Sequence, residues 1–333
     1  MFIKIFTSLL LLISLATIWL WNEYNQALTV PVVIEQAKMI EIEKGDSFKR
    51  ISNKLIDQNI AINPLWFKII AYKDKVSNKL KAGEYELKAG LTMPEILAIF
   101  VAGKSRQYSI TFPEGWSFKQ ILEQIQKNPH LVKTLGAMDY QSIMAKLDSE
   151  YKHPEGLFFP DTYFFDKKTT DFAILKTAYD KMKLILEKEW QNKQKDLPLE
   201  NAYQALILAS IVEKETGAAF ERPQIAGVFT RRLRKGMLLQ TDPTVIYGMG
   251  DRYKGNIRYR DLRQPTAYNT YVIKGLPPTP IAMPGQLAIH AALHPAKGKT
   301  LYFVALGKGR GTHKFSATLR EHNNAVNKYQ RRR

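Results

Sequence analysis

The chain has 333 residues, 45% hydrophobic and 11% aromatic, which excludes wholesale disorder and leaves room for two domains. Its formal charge is +18, and residues 201–333 hold 22 Lys and Arg against 7 Asp and Glu, a surface suited to a polyanion. There is no cysteine, which excludes a disulfide scaffold and thiolate metal sites.

From Ile5 to Asn22 no residue is charged, and the run is just long enough to cross a bilayer core. Trp19 and Trp21 sit where an interfacial aromatic belt belongs. Signal-peptide cleavage needs small residues near the end of the run, and Ile18, Trp19, Leu20 and Trp21 are bulky, so residues 1–22 read as a retained transmembrane anchor. Lys4 places the N-terminus on the cytoplasmic side. The rest of the chain is then expected on the periplasmic or extracellular face of the cytoplasmic (inner) membrane, a single-pass arrangement that argues against nucleic acid as the partner.

Three stretches echo one another: KGDSFKRIS (44–52), AGLTMPEIL (89–97) and EGWSFKQIL (114–122). In each, Gly supplies a turn, Ser47, Thr92 or Ser117 is placed as a helix N-cap, and apolar residues begin a helical stripe. Strand-like pieces alternate with them, so a small α+β region is expected near residues 31–125. Its first unit looks like the opening of a LysM module, which binds glycans containing N-acetylglucosamine; a turn-helix repeat without ligand explains the same residues.

EGLFFPDTYFF (155–165) sets four phenylalanines and a tyrosine beside Glu155 and Asp161. Aromatics next to carboxylates stack sugar rings and bond their hydroxyls, and they also fill ordinary cores; alone, the stretch reads as core. Residues 171–190 have the spacing of an amphipathic helix.

Residues 206–217, LILASIVEKETG, drive an apolar run to two glutamates. Nothing breaks a helix from Tyr203 to Thr216, and Gly217 is expected to end it. At about 100° per residue, Glu215 lies on the side of Leu208, Ile211 and Val212, and Glu213 lies nearly opposite, beside Leu206, Ala209 and Ser210. Apolar neighbours and the negative end of the helix dipole both disfavour the charged form of Glu215, which suits a general acid. A solvated last turn is the plainer alternative, although carboxylates are disfavoured at a helix C-terminus.

His290 and His294 form an i,i+4 pair, with His313 and His322 further on. A helical hydrolytic zinc site carries Glu directly after the first His, and Ala291 stands there, so no metal is expected. LYFVALGKGRGTHKFS reads as a hairpin with a Gly-rich turn at 307–311.

Taken together, EGLFFPDTYFF, ASIVEKE, ERPQIAGVFTRRLRKGM (221–237), LQTDPTVIYGMG (239–250), PTAYNTY (265–271), GLPPTPIAMPG (275–285), HPAKGKTLYFV (294–304) and GTHKFSATLREHN (311–323) resemble the endolytic murein transglycosylases, the MltG or YceG-like family. The likeness runs from about residue 30 to the end; Leu157 stands where a bulkier aromatic is common. It implies an α+β protein: transmembrane anchor 1–22, LysM-like α+β region 23–110, and a larger mixed α/β YceG-like catalytic domain 111–333. The second glutamate of the EKE segment, Glu215, is the implied catalytic residue, cutting between N-acetylmuramic acid and N-acetylglucosamine within nascent strands to leave 1,6-anhydro ends. Gln240, Thr241, Asp242, Tyr268, Asn269 and Tyr271 become candidate cleft walls, joined by Glu155 and Asp161. Peptidoglycan strands are the implied substrate, peptidoglycan synthases are candidate partners, and no cofactor is needed. Two rivals stay open: a lysozyme-type hydrolase with Asp242 or Glu213 as second carboxylate, and a noncatalytic envelope-binding protein.

Overall fold

The computed structural model describes residues 2–307 and 311–330. The chain divides into two compact units, Met1–Tyr108 with Phe164–Lys168, and Ser109–Tyr163 with Thr169–Arg333.

In the first unit, α1 (Phe2–Thr29) leads to β1 (Lys38–Ile42), α2 (Phe48–Asp57), α3 (Pro64–Lys73), β2 (Gly83–Leu87) and α4 (Met93–Ala102). β1 and β2 pair antiparallel, Lys38 opposite Leu87 and Ile42 opposite Gly83. The alternating pattern of β1 turns Ile40 and Ile42 inward, onto Leu55, Phe67, Tyr85, Leu87 and Phe100. Two helices start as the echo requires: Ser47 accepts from Arg50 N, and Thr92 forms a capping box with Glu95.

The apolar N-terminal helix, from Lys4 to Thr29, is long and apolar enough to cross a membrane. It does not stop at residue 22. Ala27 is buried in the core of this unit, Tyr24 and Leu28 pack against it, and Lys73 Nζ donates to the Tyr24 hydroxyl at 2.7 Å. The stretch read as an anchor ends inside this longer helix, which continues because its last turns have a second surface to bury against.

Residues 164–168 also belong to this unit, which no pattern in the sequence indicates. Lys167 pairs with Glu41 and Glu84 at 3.2 and 2.8 Å, and Lys168 pairs with Glu41 and Glu43 at 2.7 Å each. Those bonds are remote in sequence, and no local pattern announces them.

The chain continues, mostly within the second unit, with β3 (Tyr108–Thr111), α5 (Phe118–Lys127), α6 (Tyr140–Lys146), β4 (Thr162–Phe165, whose last two residues belong to the first unit), α7 (Asp171–Gln191), α8 (Ala202–Glu215), α9 (Arg222–Arg234), α10 (Asp242–Met249), α11 (Tyr259–Arg263), α12 (Gln286–Leu293), β5 (Tyr302–Ala305), β6 (His313–Ser316) and α13 (Leu319–Tyr329). Ser117 caps α5 in a capping box with Gln120, as the third echo predicts. β3 pairs with β4, and β5 pairs antiparallel with β6, Tyr302 opposite Ser316 and Ala305 opposite His313. That is the expected hairpin; residues 308–310 of its turn lie outside the described residues.

α8 is the centre of this unit, packed by α7, α9, α10 and α12. Every residue from Ala205 to Val212 is buried, so the helix is apolar all round, as the sequence indicated. It ends differently. Thr216, not Gly217, leaves the helix, in an extended conformation (φ −146°), and its hydroxyl accepts from Ala218 N at 3.0 Å. With that side-chain bond available, no left-handed glycine is needed to stop the helix.

Candidate active site

The last turn of α8 sends its three polar side chains in different directions. Glu213 is 5% exposed, accepts from Gly285 N at 3.0 Å, and pairs with Arg222 Nη2 at 2.7 Å. The same guanidinium reaches Glu114 at 3.2 Å. A Cβ on Gly285 would lie 1.7 Å from Glu114 Oε1, so a side chain there would push the Glu114 carboxylate aside. Lys214 Nζ donates to Gly115 O at 3.2 Å. Glu213 and Lys214 therefore fasten the helix end to loops around residues 114 and 285.

Among the described residues Glu215 has one hydrogen-bond partner, the Thr241 hydroxyl, which donates to Oε1. Its side chain is enclosed on most sides and opens onto a cavity of about 530 Å³, within the ~300–1,000 Å³ usual for ligand clefts. Burial, with the Asp242 charge adding to it and the Thr241 bond opposing it, pushes the carboxyl up to about 7. Such a group is substantially protonated near neutral pH and faces open space. It can donate a proton and then take one back.

Thr241 is placed by a network of threonines. It occupies the N-cap position of α10 yet makes no capping bond, because its hydroxyl goes to Glu215. Its N–H donates to Thr270 Oγ1 at 3.1 Å, and the Thr244 hydroxyl donates to its carbonyl at 2.7 Å. Gln240 before it sits in the left-handed region (φ +52°), with its N–H on Thr270 O at 3.1 Å. A non-glycine residue held there is strained by about 1 kcal/mol or more, and the strain aims Thr241 at the acid.

Four sequence candidates meet here, since Glu215, Gln240, Asp242 and Tyr271 all line the cavity and Tyr271 donates to Asp242 Oδ1 at 2.6 Å. Burial and that bond push the Tyr271 phenol up. The remaining candidates lie behind or away from the cavity. Asn269 is buried; its amide donates to the carbonyls of Asp261, Leu262 and Gln264 and accepts from Tyr271 N. Tyr268 packs edge-on against Tyr247, its hydroxyl 2.9 Å from Thr279 Oγ1. Glu155 accepts from Phe118 N at the start of α5 and from the Tyr247 hydroxyl, and burial pushes it up to about 7. Asp161 bonds Lys181, which holds it below the usual carboxylate range.

Other residues lining the cavity were not singled out as cleft residues by the sequence: Arg232, Tyr302, His313, His322 and Asn323. Arg232 donates to the carbonyls of Leu301, Leu238 and Leu239 and to the Gln240 amide oxygen. Among the described residues no carboxylate pairs with it, and it lies 5.0 Å over the Tyr302 ring. His313 donates from N and Nδ1 to the two oxygens of Glu221, at 2.9 and 2.8 Å, so its Nε2 carries the lone pair when the ring is neutral. His322 stacks on Tyr302, and burial together with Arg232 pushes it down, towards the neutral ring. Only one signal could have found these: histidines weighed as metal ligands, and set aside, were still unexplained polar groups.

Glu189, His290 and His294 are the residues placed to hold a metal ion among those described. His290 Nδ1 is 2.9 Å from Glu189 Oε2, and His294 Nε2 is 2.8 Å from Asn192 O. The two imidazoles stack at 4.1 Å and 17°, and one ligand atom from each of the three residues lies within 4.8 Å of the others.

The chain is similar to known proteins over most of its length. The profile of the YceG-like family matches residues 40–328. An endolytic murein transglycosylase from Bacillus subtilis (strain 168) is 32% identical over 325 residues, covering 92% of this chain and 89% of that protein. The one from Streptococcus pneumoniae (strain D39) is 27% identical over 303 residues, covering 80% of this chain and 54% of that protein. The crystal structure of a yceG-like protein from Listeria monocytogenes, 32% identical, matches with a TM-score of 0.56 over 87% of this chain and 99% of its own.

Proposed function

The chain belongs to the YceG-like family, and on that premise we propose that it is a lytic transglycosylase that cuts within peptidoglycan strands using Glu215 alone as acid and then base. The observation that carries the assignment is a protonated-leaning carboxyl, pushed up to about 7, that faces a cavity large enough for ligand.

Glu215 gives its proton to the glycosidic oxygen as the bond from that oxygen to C1 of N-acetylmuramic acid breaks. The resulting carboxylate takes the proton of the muramoyl C6 hydroxyl as that oxygen closes on C1. One C–O bond breaks and one forms, the donated proton leaves on the departing sugar's hydroxyl, the C6 proton restores Glu215, and the product is a 1,6-anhydro end made without water. Most glycosidases need a second carboxylate because water or the enzyme is the nucleophile; here the substrate supplies it. Thr241 holds the acid in line, Gln240, Asp242 and Tyr271 contact sugar, and Glu155, Asp161, Tyr268 and Asn269 stiffen the surrounding walls. The apolar segment within residues 1–22 anchors the chain in the cytoplasmic membrane with the rest of the chain outside, where peptidoglycan synthases work, and residues 23–110 serve as a LysM-like glycan holder.

Digestion of uncrosslinked strands in oxygen-18 water tests the chemistry. Anhydro ends free of heavy oxygen are expected. Heavy oxygen at new reducing ends would establish a hydrolase instead, with Asp242 as its second carboxylate, a reading favoured by that residue's place in the same cavity.

A further inference from the structure

All four residues of β5, Tyr302 to Ala305, line the cavity that Glu215 faces. Side chains of a strand alternate between two faces, so four in a row cannot line one space with their side chains alone. Backbone atoms of the strand therefore border the cavity as well. β5 pairs only with β6, in a two-stranded sheet, and its other edge has no strand partner among the described residues.

The register says which backbone groups that edge offers. Leu306 N donates to Thr312 O at 2.9 Å. The bonded pairs of an antiparallel ladder fall at every second residue, so Val304 and Tyr302 also turn their N–H and C=O towards β6, opposite Lys314 and Ser316. Leu301 N reaches the same Ser316 O at 2.9 Å, as in a bulge beside a bonded pair. The N–H and C=O of Phe303 and Ala305 therefore point to the open edge, spaced two residues apart, the repeat of an extended peptide. Beside them stands the Arg232 guanidinium, which has carbonyl and amide partners but no paired carboxylate among the described residues. A buried cation left without a counter-charge favours an anionic ligand.

We propose that the open edge of β5 receives the peptide stem of the muramoyl residue as an added strand, with a stem carboxylate towards Arg232. This rests on the peptidoglycan reading of the site. The stem is joined to the sugar whose C1 is attacked, is extended and acidic, and pairs by main-chain bonds while the glycan occupies the space in front of Glu215.

The test compares full-length protein on glycan strands that keep their stems and on the same strands stripped of stems by an amidase. Stem-bearing strands should be cut with kcat/KM about tenfold higher, chiefly through KM, the order expected of two net hydrogen bonds. Ala305→Pro deletes an N–H that no ladder bond uses, and should bring the ratio of the two rates close to one. Amide exchange in full-length Glu215→Gln protein gives a second reading: stem-bearing strands, and not stripped ones, should slow exchange at Phe303 and Ala305. Equal rates on the two strands by the unaltered protein, an unchanged ratio in Ala305→Pro, or unprotected amides would each overturn the proposal. If neither strand were cut, the transglycosylase reading would fall, and the exchange measurement would still judge the edge.

Discussion

Glu155 and Glu215 are both enclosed, and burial pushes both up to about 7. Their neighbourhoods differ in kind. Glu155 is 4% exposed and held by two donors, the Phe118 N–H and the Tyr247 hydroxyl, inside a wall. Glu215 has a single donor and an open cavity in front of it. A raised pKa records burial; access to ligand is what separates a buried acid that can do chemistry from one that braces the fold.

The largest effect should come from the accessible carboxyl. Glu215→Gln keeps the shape and removes the proton, so turnover should fall by ~10²–10⁴-fold while the thermal midpoint stays nearly unchanged. Full activity in this variant would erase the distinction between the two sites. Glu213→Gln adds a third case, a carboxylate that is buried and ion-paired. It strips Arg222 of its closer partner and should cost about 3 kcal/mol in urea unfolding, while activity per folded molecule stays well above that of Glu215→Gln.

Glu155 should show itself in stability and its pH dependence. Its folded pKa lies above the unfolded one, so its contribution is complete below about 4.5 and lost as pH rises through about 7. Between pH 5 and 8, Glu155→Gln should therefore lose up to about 3 kcal/mol less stability than the unaltered protein, read from urea midpoints. Parallel curves would mean that Glu155 stays charged in place. The smallest effect belongs to Thr241→Val. The Thr241 bond lowers the Glu215 pKa, so removing it should carry the alkaline fall in activity, near pH 7, upward by roughly half a pH unit. A downward move would show that the hydroxyl stabilises the protonated acid.

What the sequence revealed was what short stretches of chain decide. Ser47, Thr92 and Ser117 cap their helices because capping needs only the next three residues. The opposed directions of Glu213 and Glu215 followed from helical period, and the structure sends one to Arg222 and the other to Thr241. The walls were harder to read. Tyr268, Asn269 and Tyr271 sit within four residues of one loop; Tyr271 reaches the cavity and Asn269 turns back to three carbonyls, and no period governs such a segment. Arg232 is one of three arginines in RRLR, and its neighbour Arg231 bonds Thr300 and Ala296 instead. His313 arrives from a hairpin remote in sequence and is held by Glu221. Contacts made by distant packing leave no trace in local spacing.

The helix that starts the chain has no slack at its end. After Thr29 the backbone goes straight into the first unit: Val32 and Ile34 are buried, and Val32 N bonds Leu91 O at 2.7 Å. A flexible tether of n residues would let its cargo wander over ~5–6 Å × √n. Were the apolar segment in a bilayer, this unit would turn and drift with the helix as one body, and its encounters would become a search in two dimensions. One residue added within α1 would swing it by about 100° and lift it by about 1.5 Å.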